Sequence, residues 1–165
     1  MTLSESSTAK HLSALYDQDY YLWLTTTAEL LRENQLSALD ITNLLEEVED
    51  MGRSEKRALY SNLKVLLMHL LKYRYQPEKR SNSWVASIVE HQQRLRQALK
   101  ESPSLRSHLT QVFNDCYQDA RELAAAETGL SIDQFPPASP FSVENILKTF
   151  PDLEINQQKE SGTSD

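Results

Sequence analysis

Three glycines, no two adjacent, leave nothing to build a phosphate-cradling loop, which needs several in one short turn. A single cysteine, Cys116, excludes an intramolecular disulfide and fits a reducing compartment. No run approaches the roughly 20 apolar residues of a membrane-spanning helix. The nearest, residues 63–71, is short and bounded by charge. Basic charge is scarce as well. Lys and Arg number 17 against 24 Asp and Glu, and the net charge of -7 argues against general affinity for nucleic acid. Residues 1–10 are polar and lack the apolar stretch of a secretion signal. These absences predict a cytoplasmic protein with no membrane segment.

What is present is helix-forming. Leu, Glu, Gln, Ala, Arg and Lys dominate, and 165 residues suffice for one domain with a core. Residues 1–14 read as a flexible N-terminal tail. Asp17 can cap a first helix carrying Leu15, Tyr16, Tyr20, Trp23, Leu24, Thr27, Leu30 and Leu31 at three- and four-residue spacing, ending near residue 35. Its aromatic end suits either a core anchor or a partner surface.

The longest periodic stretch, residues 40–76, reads as a central helix capped by Asp40 and stopped by Pro77, about 50 Å in length. A kink is expected at Gly52. Leu44, Leu45, Val48 and Met51 mark its expected buried side. Carboxylates crowd its first half and Lys64, Lys72 and Arg74 its second, as the helix dipole favours.

Ser81 or Ser83 caps the next helix, with a stripe of Trp84, Ile88, His91 and Leu95. Ser102-Pro103 signals another start. Leu105, Leu109, Val112, Cys116, Ala120 and Leu123 form that helix's stripe, and Gly129 ends it. Phe135 and Phe141 are expected to turn inward from an irregular loop. A short capped helix follows over 142–148, stopped by Pro151, and 152–165 read as a disordered tail. The predicted fold is all-α. It is an up-down helical bundle of four main helices around one long central helix, with a short C-terminal helix, in a single domain over 15–151.

Three groups of residues carry candidate chemistry. Glu46, Glu47, Glu49 and Asp50 form either a solvated acidic first turn or a carboxylate face for a divalent ion, although the Glu-x-x-His signature of bundle metal sites is missing. Glu47 and Glu55 lie nearest the expected buried side, where one of them can pair with Arg53, Arg57 or a basic residue of another helix. His69 sits in the most apolar run, and His91 on the stripe of the antiparallel neighbour. Each suits a hydrogen-bonded core histidine. Facing one another beside Glu90, Asp115 or Asp119, they would instead make the zinc or manganese site of a metal-assisted hydrolase or nuclease. Lys72, Tyr73, Arg74, Tyr75, Lys79, Arg80 and Trp84 interleave cations with aromatic rings. That pattern serves either phosphate contact with base stacking or packing at a helix corner. Cys116, on an apolar stripe, reads as a buried thiol.

Several blocks together resemble a bacterial family. They are Tyr16-Asp17-Gln18-Asp19-Tyr20-Tyr21-Leu22-Trp23, the run from Asn43-Leu44-Leu45-Glu46-Glu47 to Gly52-Arg53-Ser54-Glu55-Lys56-Arg57, and Leu66-Leu67-Met68-His69-Leu70-Leu71-Lys72-Tyr73. Gln76-Pro77, Arg80-Ser81-Asn82-Ser83-Trp84, Ser102-Pro103-Ser104-Leu105 and Glu127-Thr128-Gly129-Leu130 continue the series. Over about residues 15–150 the chain resembles domain of unknown function family 29, common in cyanobacteria. It departs from the pattern at Tyr73, where members often carry Trp, and at Ser139-Pro140-Phe141, where a Cys-Pro-Tyr-like stretch is usual. The resemblance implies a small all-α bundle and no assigned activity. With no cofactor indicated, the expected role is interaction with an unknown protein partner or self-association. Nucleic acid is the less favoured ligand.

Overall fold

The computed structural model describes the backbone of residues 2–149 and the side chains of 9–149. It is all-α, with no strand among the described residues. Six helices follow in order: α1 (Thr2–Gln18), α2 (Tyr20–Arg32), α3 (Ile41–Tyr75), α4 (Asn82–Glu101), α5 (Leu105–Thr128) and the short α6 (Val143–Ile146). Pro151 and the tail expected over 152–165 lie outside the described residues. The chain divides into two compact units, Met1–Ser54 and Glu55–Asp165.

In the first unit, two helices stand where one was predicted over 15–35. The Asp19 carboxylate accepts the Leu22 amide at 3.0 Å, so the cap of α2 is Asp19 rather than Asp17. The lead-in expected to be a loose tail over 1–14 is helical from Thr2. Leu12 extends the spacing of Leu15 and Tyr16 backwards and is buried, giving that helix an apolar contact of its own. α2 ends at Arg32, and Asn34, just past its C-cap Glu33, has a left-handed φ of 57°, a conformation Asn tolerates better than most residues. Asp40 caps α3, accepting the Asn43 amide at 3.4 Å on Oδ1. Tyr20 reaches Glu47 and Trp23 reaches Asp40, so α2 runs antiparallel to the start of α3. Ser13 pairs with Asn43 and Tyr16 with Glu47, so α1 runs parallel to it.

One expectation about α3 is overturned. Leu45, Val48 and Met51 are exposed, not buried, and Leu44 is only half-buried. α1 and α2 engage Asp40, Asn43 and Glu47, which lie about a third of a turn round from Ile41, Leu45 and Val48 at ~100° per residue. Helix assignment continues through Gly52, where an added Cβ would meet nothing within 4 Å.

The second unit holds the apolar core. Leu59, Leu63, Leu66, Leu67, Leu70 and Leu71 of α3 are buried with Ile88 and Leu95 of α4 and with Leu109, Phe113, Cys116 and Tyr117 of α5. Asn62 meets His91 and His69 meets Ser87, which makes α4 antiparallel to α3. Tyr60 meets Asp119 and Lys72 meets Glu127, so α5 returns parallel to α3. Within this unit the order is up, down, up, as short connections require.

Ser81, of the two serines proposed, caps α4 by accepting the Trp84 amide at 3.4 Å. Ser102-Pro103 does not open α5 directly. Their carbonyls accept the Leu105 and Arg106 amides in a preceding turn, and the helix starts at Leu105. Leu109, Cys116 and Ala120 of the predicted stripe are buried, joined by Phe113, Tyr117 and Ala124, whereas Leu123 is exposed. Gly129 ends α5 with φ 71°. Cys116 is buried with Sγ 3.5 Å from the Tyr60 carbonyl, and burial pushes its thiol up to about 12.

The loop after α5 is tied back by side chains. The Tyr117 hydroxyl donates to the Pro136 carbonyl at 2.6 Å, and Arg121 donates to the carbonyls of Phe135 and Ile132. Phe135 and Phe141 are buried as predicted. Gln92, not anticipated, is fully buried and donates Nε2 to the carbonyls of Ile146 and Lys148 at 3.0 and 2.8 Å, closing the end of α6.

Candidate functional site

In the second unit three of the basic residues of 72–84, Lys72, Arg74 and Arg80, lie against aromatic rings of the same stretch. Lys72 is 7% exposed; its Nζ donates to Glu127 Oε2 at 2.5 Å and lies 4.6 Å from the centre of the Trp84 ring. The Arg80 guanidinium sits 4.3 Å from the Tyr73 ring, and its Nε donates to the Tyr73 carbonyl at 2.8 Å. Arg74 lies 5.7 and 5.9 Å from the rings of Tyr75 and Phe141. Cations attracted to ring faces occupy surfaces that stacked bases would use. The pairs Lys72–Trp84 and Arg80–Tyr73 span the turn at Pro77.

His69 and His91 both lie at the contact of α3 with α4. His69 Nδ1 is 2.9 Å from the Val65 carbonyl and 3.5 Å from the Ser87 hydroxyl. His91 Nδ1 is 2.8 Å from Asn62 Oδ1. Burial holds the His91 imidazole below its ordinary value, Arg94 and His69 push the same way, and Glu90 opposes them. Each ring therefore has an identified hydrogen-bond partner at Nδ1. Among the described residues no group of three or more His, Cys, Asp or Glu is placed to hold a metal ion. Glu55 is exposed.

In the first unit Glu47 has the most developed environment of the predicted residues. Its carboxylate accepts the Tyr16 hydroxyl on Oε1 and the Tyr20 hydroxyl on Oε2, both at 2.6 Å. The sequence pointed to Glu47 or Glu55 as a paired carboxylate with a basic partner; the partners of Glu47 are two tyrosines. Arg53 instead sits beside Asp50 and Glu49 at 3.2 and 3.7 Å. The two phenols hold the Glu47 carboxyl below its ordinary value, and Glu47 in turn pushes Tyr16 up to about 12. Tyr16 meets Trp23 edge-on at 5.0 Å, and Tyr20 stacks on Trp23 at 5.8 Å. Trp23 is buried, and its Nε1 donates to Asp40 Oδ2 at 3.3 Å while Asn43 Nδ2 donates to the same oxygen at 2.6 Å. The aromatic end of the first predicted helix is thus an anchor on one side and a surface on the other. Trp23 is inside, whereas Tyr20 and Tyr21 are exposed.

The exposed apolar side chains are unevenly distributed. Of the twelve large exposed hydrophobics among the described residues, ten fall between Tyr20 and Met51 and only Leu123 and Ile132 in the second unit. Along α3, Ile41, Leu45, Val48 and Met51 are 58, 57, 57 and 68% exposed. Ile41, Leu45 and Val48 stand at i, i+4 and i+7, a spacing that makes one continuous helical ridge. Tyr20, Leu24 and Leu31 of α2, at i, i+4 and i+11, are exposed as well, with the buried Thr27 between them. The tyrosine–Glu47 bonds bring Tyr20 beside α3. Sequence periodicity did mark the α3 residues as apolar and one-sided; it could not show that no other helix of the unit covers them.

An all-α chain with a tyrosine–carboxylate tie in one unit and a leucine core in the other is the class of protein these elements define. The family model described as "Domain of unknown function DUF29" matches residues 15–150, and the chain belongs to that family. No curated protein and no solved structure matches it. Among the described residues no helix is long and apolar enough to cross a membrane.

Proposed function

We propose that this is a non-enzymatic docking protein of the cytoplasm, which binds another protein through the apolar face of its first unit. The observation that carries this reading is the ridge of Ile41, Leu45 and Val48 on α3, with Met51 also exposed, together with the exposed apolar residues of α2. Scattered surface leucines need no explanation, but a contiguous apolar patch on a small unit costs solubility and marks interaction surfaces. Within the fold, by contrast, Lys72 and Arg80 of the 72–84 corner lie against aromatic rings, and Nδ1 of His69 and of His91 each has a hydrogen-bond partner.

The test is partner capture from the native cell with a Leu45→Ser/Val48→Ser double variant. A Leu123→Ser variant, altering an exposed leucine of the second unit, is the control. The expected result is that proteins retained by the wild type and by the control are lost from the double variant, with helical content unchanged by circular dichroism. Equal retention by all three would remove the face from consideration.

A further inference from the structure

Charge follows the same division as the exposed apolar surface. Residues 1–54 hold ten Asp and Glu and three Lys and Arg, whereas residues 55–165 hold fourteen of each. The whole net charge of -7 therefore belongs to the first unit. On α3 the carboxylates of Glu46, Glu49 and Asp50 are all exposed, and Glu49 follows Leu45 by four residues and Val48 by one. The apolar ridge thus has an acidic border along one side. Arg53 sits beside Glu49 and Asp50.

Resting on the docking role proposed above, we infer that the partner segment is a basic amphipathic helix. Three features select it. The ridge repeats at helical spacing, which another helix fills by setting its own side-chain ridge alongside. Its border is acidic, so a partner must bring positive charge or leave carboxylates facing a low-dielectric contact. Lys and Arg suit the step from ridge to border, because their aliphatic stems cover apolar side chains while their charged ends reach outward. A second copy presenting the same face is disfavoured: it would set two -7 surfaces against each other. Anionic lipid and nucleic acid are repelled for the same reason.

The test uses the full chain and three synthetic helical peptides with one common leucine face. Their polar faces carry Lys and Arg, Gln, or Glu. Binding is read by fluorescence anisotropy, and the oligomeric state of the free chain by sedimentation. The basic peptide should bind about tenfold tighter than the neutral one, as expected of a few exposed charge pairs, and the acidic peptide weakest. The preference should shrink as salt rises from about 0.05 to 0.5 M. It should vanish in Glu46→Lys/Glu49→Lys, whose exposed sites leave folding intact, while Leu45→Ser/Val48→Ser should weaken all three peptides. Equal binding of the three peptides, weakened by the Leu45 and Val48 changes, would overturn the basic partner and leave the docking face standing. Dimerisation of the free chain abolished by those changes, with no peptide bound, would assign the face to a second copy instead. A monomer that binds no peptide would overturn both the inference and the docking role.

Discussion

A carboxylate that accepts two phenol hydroxyls at 2.6 Å is an unusual tie, and Glu47 joins α1, α2 and α3 through it. Both bonds favour the ionised carboxylate and the protonated phenols. In the wild type Tyr16 is pushed up to about 12, and Tyr20 is raised by the same partner. Glu47→Gln should let two more of the seven tyrosines titrate near their ordinary value of 10.0, read from tyrosinate absorbance. An unchanged titration curve would mean that these bonds do not form in solution. Because the folded Glu47 carboxyl titrates below its ordinary 4.5, its contribution to stability is present above that value and is lost as pH falls through the folded one. His91 acts at a higher pH. Its imidazole is held below the ordinary 6.5, so the unfolded chain takes up a proton first, and stability declines as pH falls from 6.5 toward the folded value. His91→Gln should flatten the thermal midpoint between about pH 7 and 5 relative to the wild type. Glu47 stood out in the sequence because it lies near an apolar stripe; its tyrosine partners did not, since 27 and 31 residues separate the paired groups.

At the scale of single elements, α3 makes the sharpest contrast. Its leucines from Leu59 onward are sealed in the core, whereas Leu45 and Val48, equally apolar, are exposed. Leu66→Ala should cost about 2–5 kcal/mol through lost burial and the cavity left behind. Leu45→Ala and Val48→Ala should each stay within about 0.5 kcal/mol of the wild type. Urea unfolding monitored by circular dichroism measures all three. If Leu45→Ala cost as much as Leu66→Ala, the ridge would be covered in solution. α4 yields a different prediction. Gln92→Leu keeps the volume but strips donors from the carbonyls of Ile146 and Lys148, and should cost about 1–3 kcal/mol in the same assay. Helix positions were legible because periodicity and caps are local: Asp40, Ser81, Gly129 and Ser142 all act where their residue types suggest. Errors arose where two signals competed. Asp17 and Asp19 both suit a cap, and Ser102-Pro103 suits either a helix start or the turn before one. Which side of α3 its neighbours cover was not legible, since their docking is set by polar bonds to Asp40, Asn43 and Glu47.

For the molecule as a whole, the two units are unequally provided with core. The first buries Leu12, Trp23, Ala38 and Leu39 with the polar Thr27 and Asp40, while the second encloses a continuous cluster from Leu59 to Ile146. Regions with few buried apolar contacts open at lower free energy. Amides of α2 should therefore exchange with solvent well before those around Leu66 and Leu70, a difference that hydrogen-exchange mass spectrometry resolves. The all-α class and the blocks that define the family were legible at this scale because they depend on composition and order along the chain. The split of charge and apolar exposure emerges only when each helix has been given its neighbours.

The lone thiol carries a practical consequence. Thiolate is the species that attacks alkylating reagents, and Cys116 is both enclosed and held protonated. Labelling by a maleimide must wait for the second unit to open, which turns the residue into a built-in stopwatch for that unit alone. Its labelling rate, followed by mass shift across a urea series, would report how often the leucine core comes apart without any engineered probe.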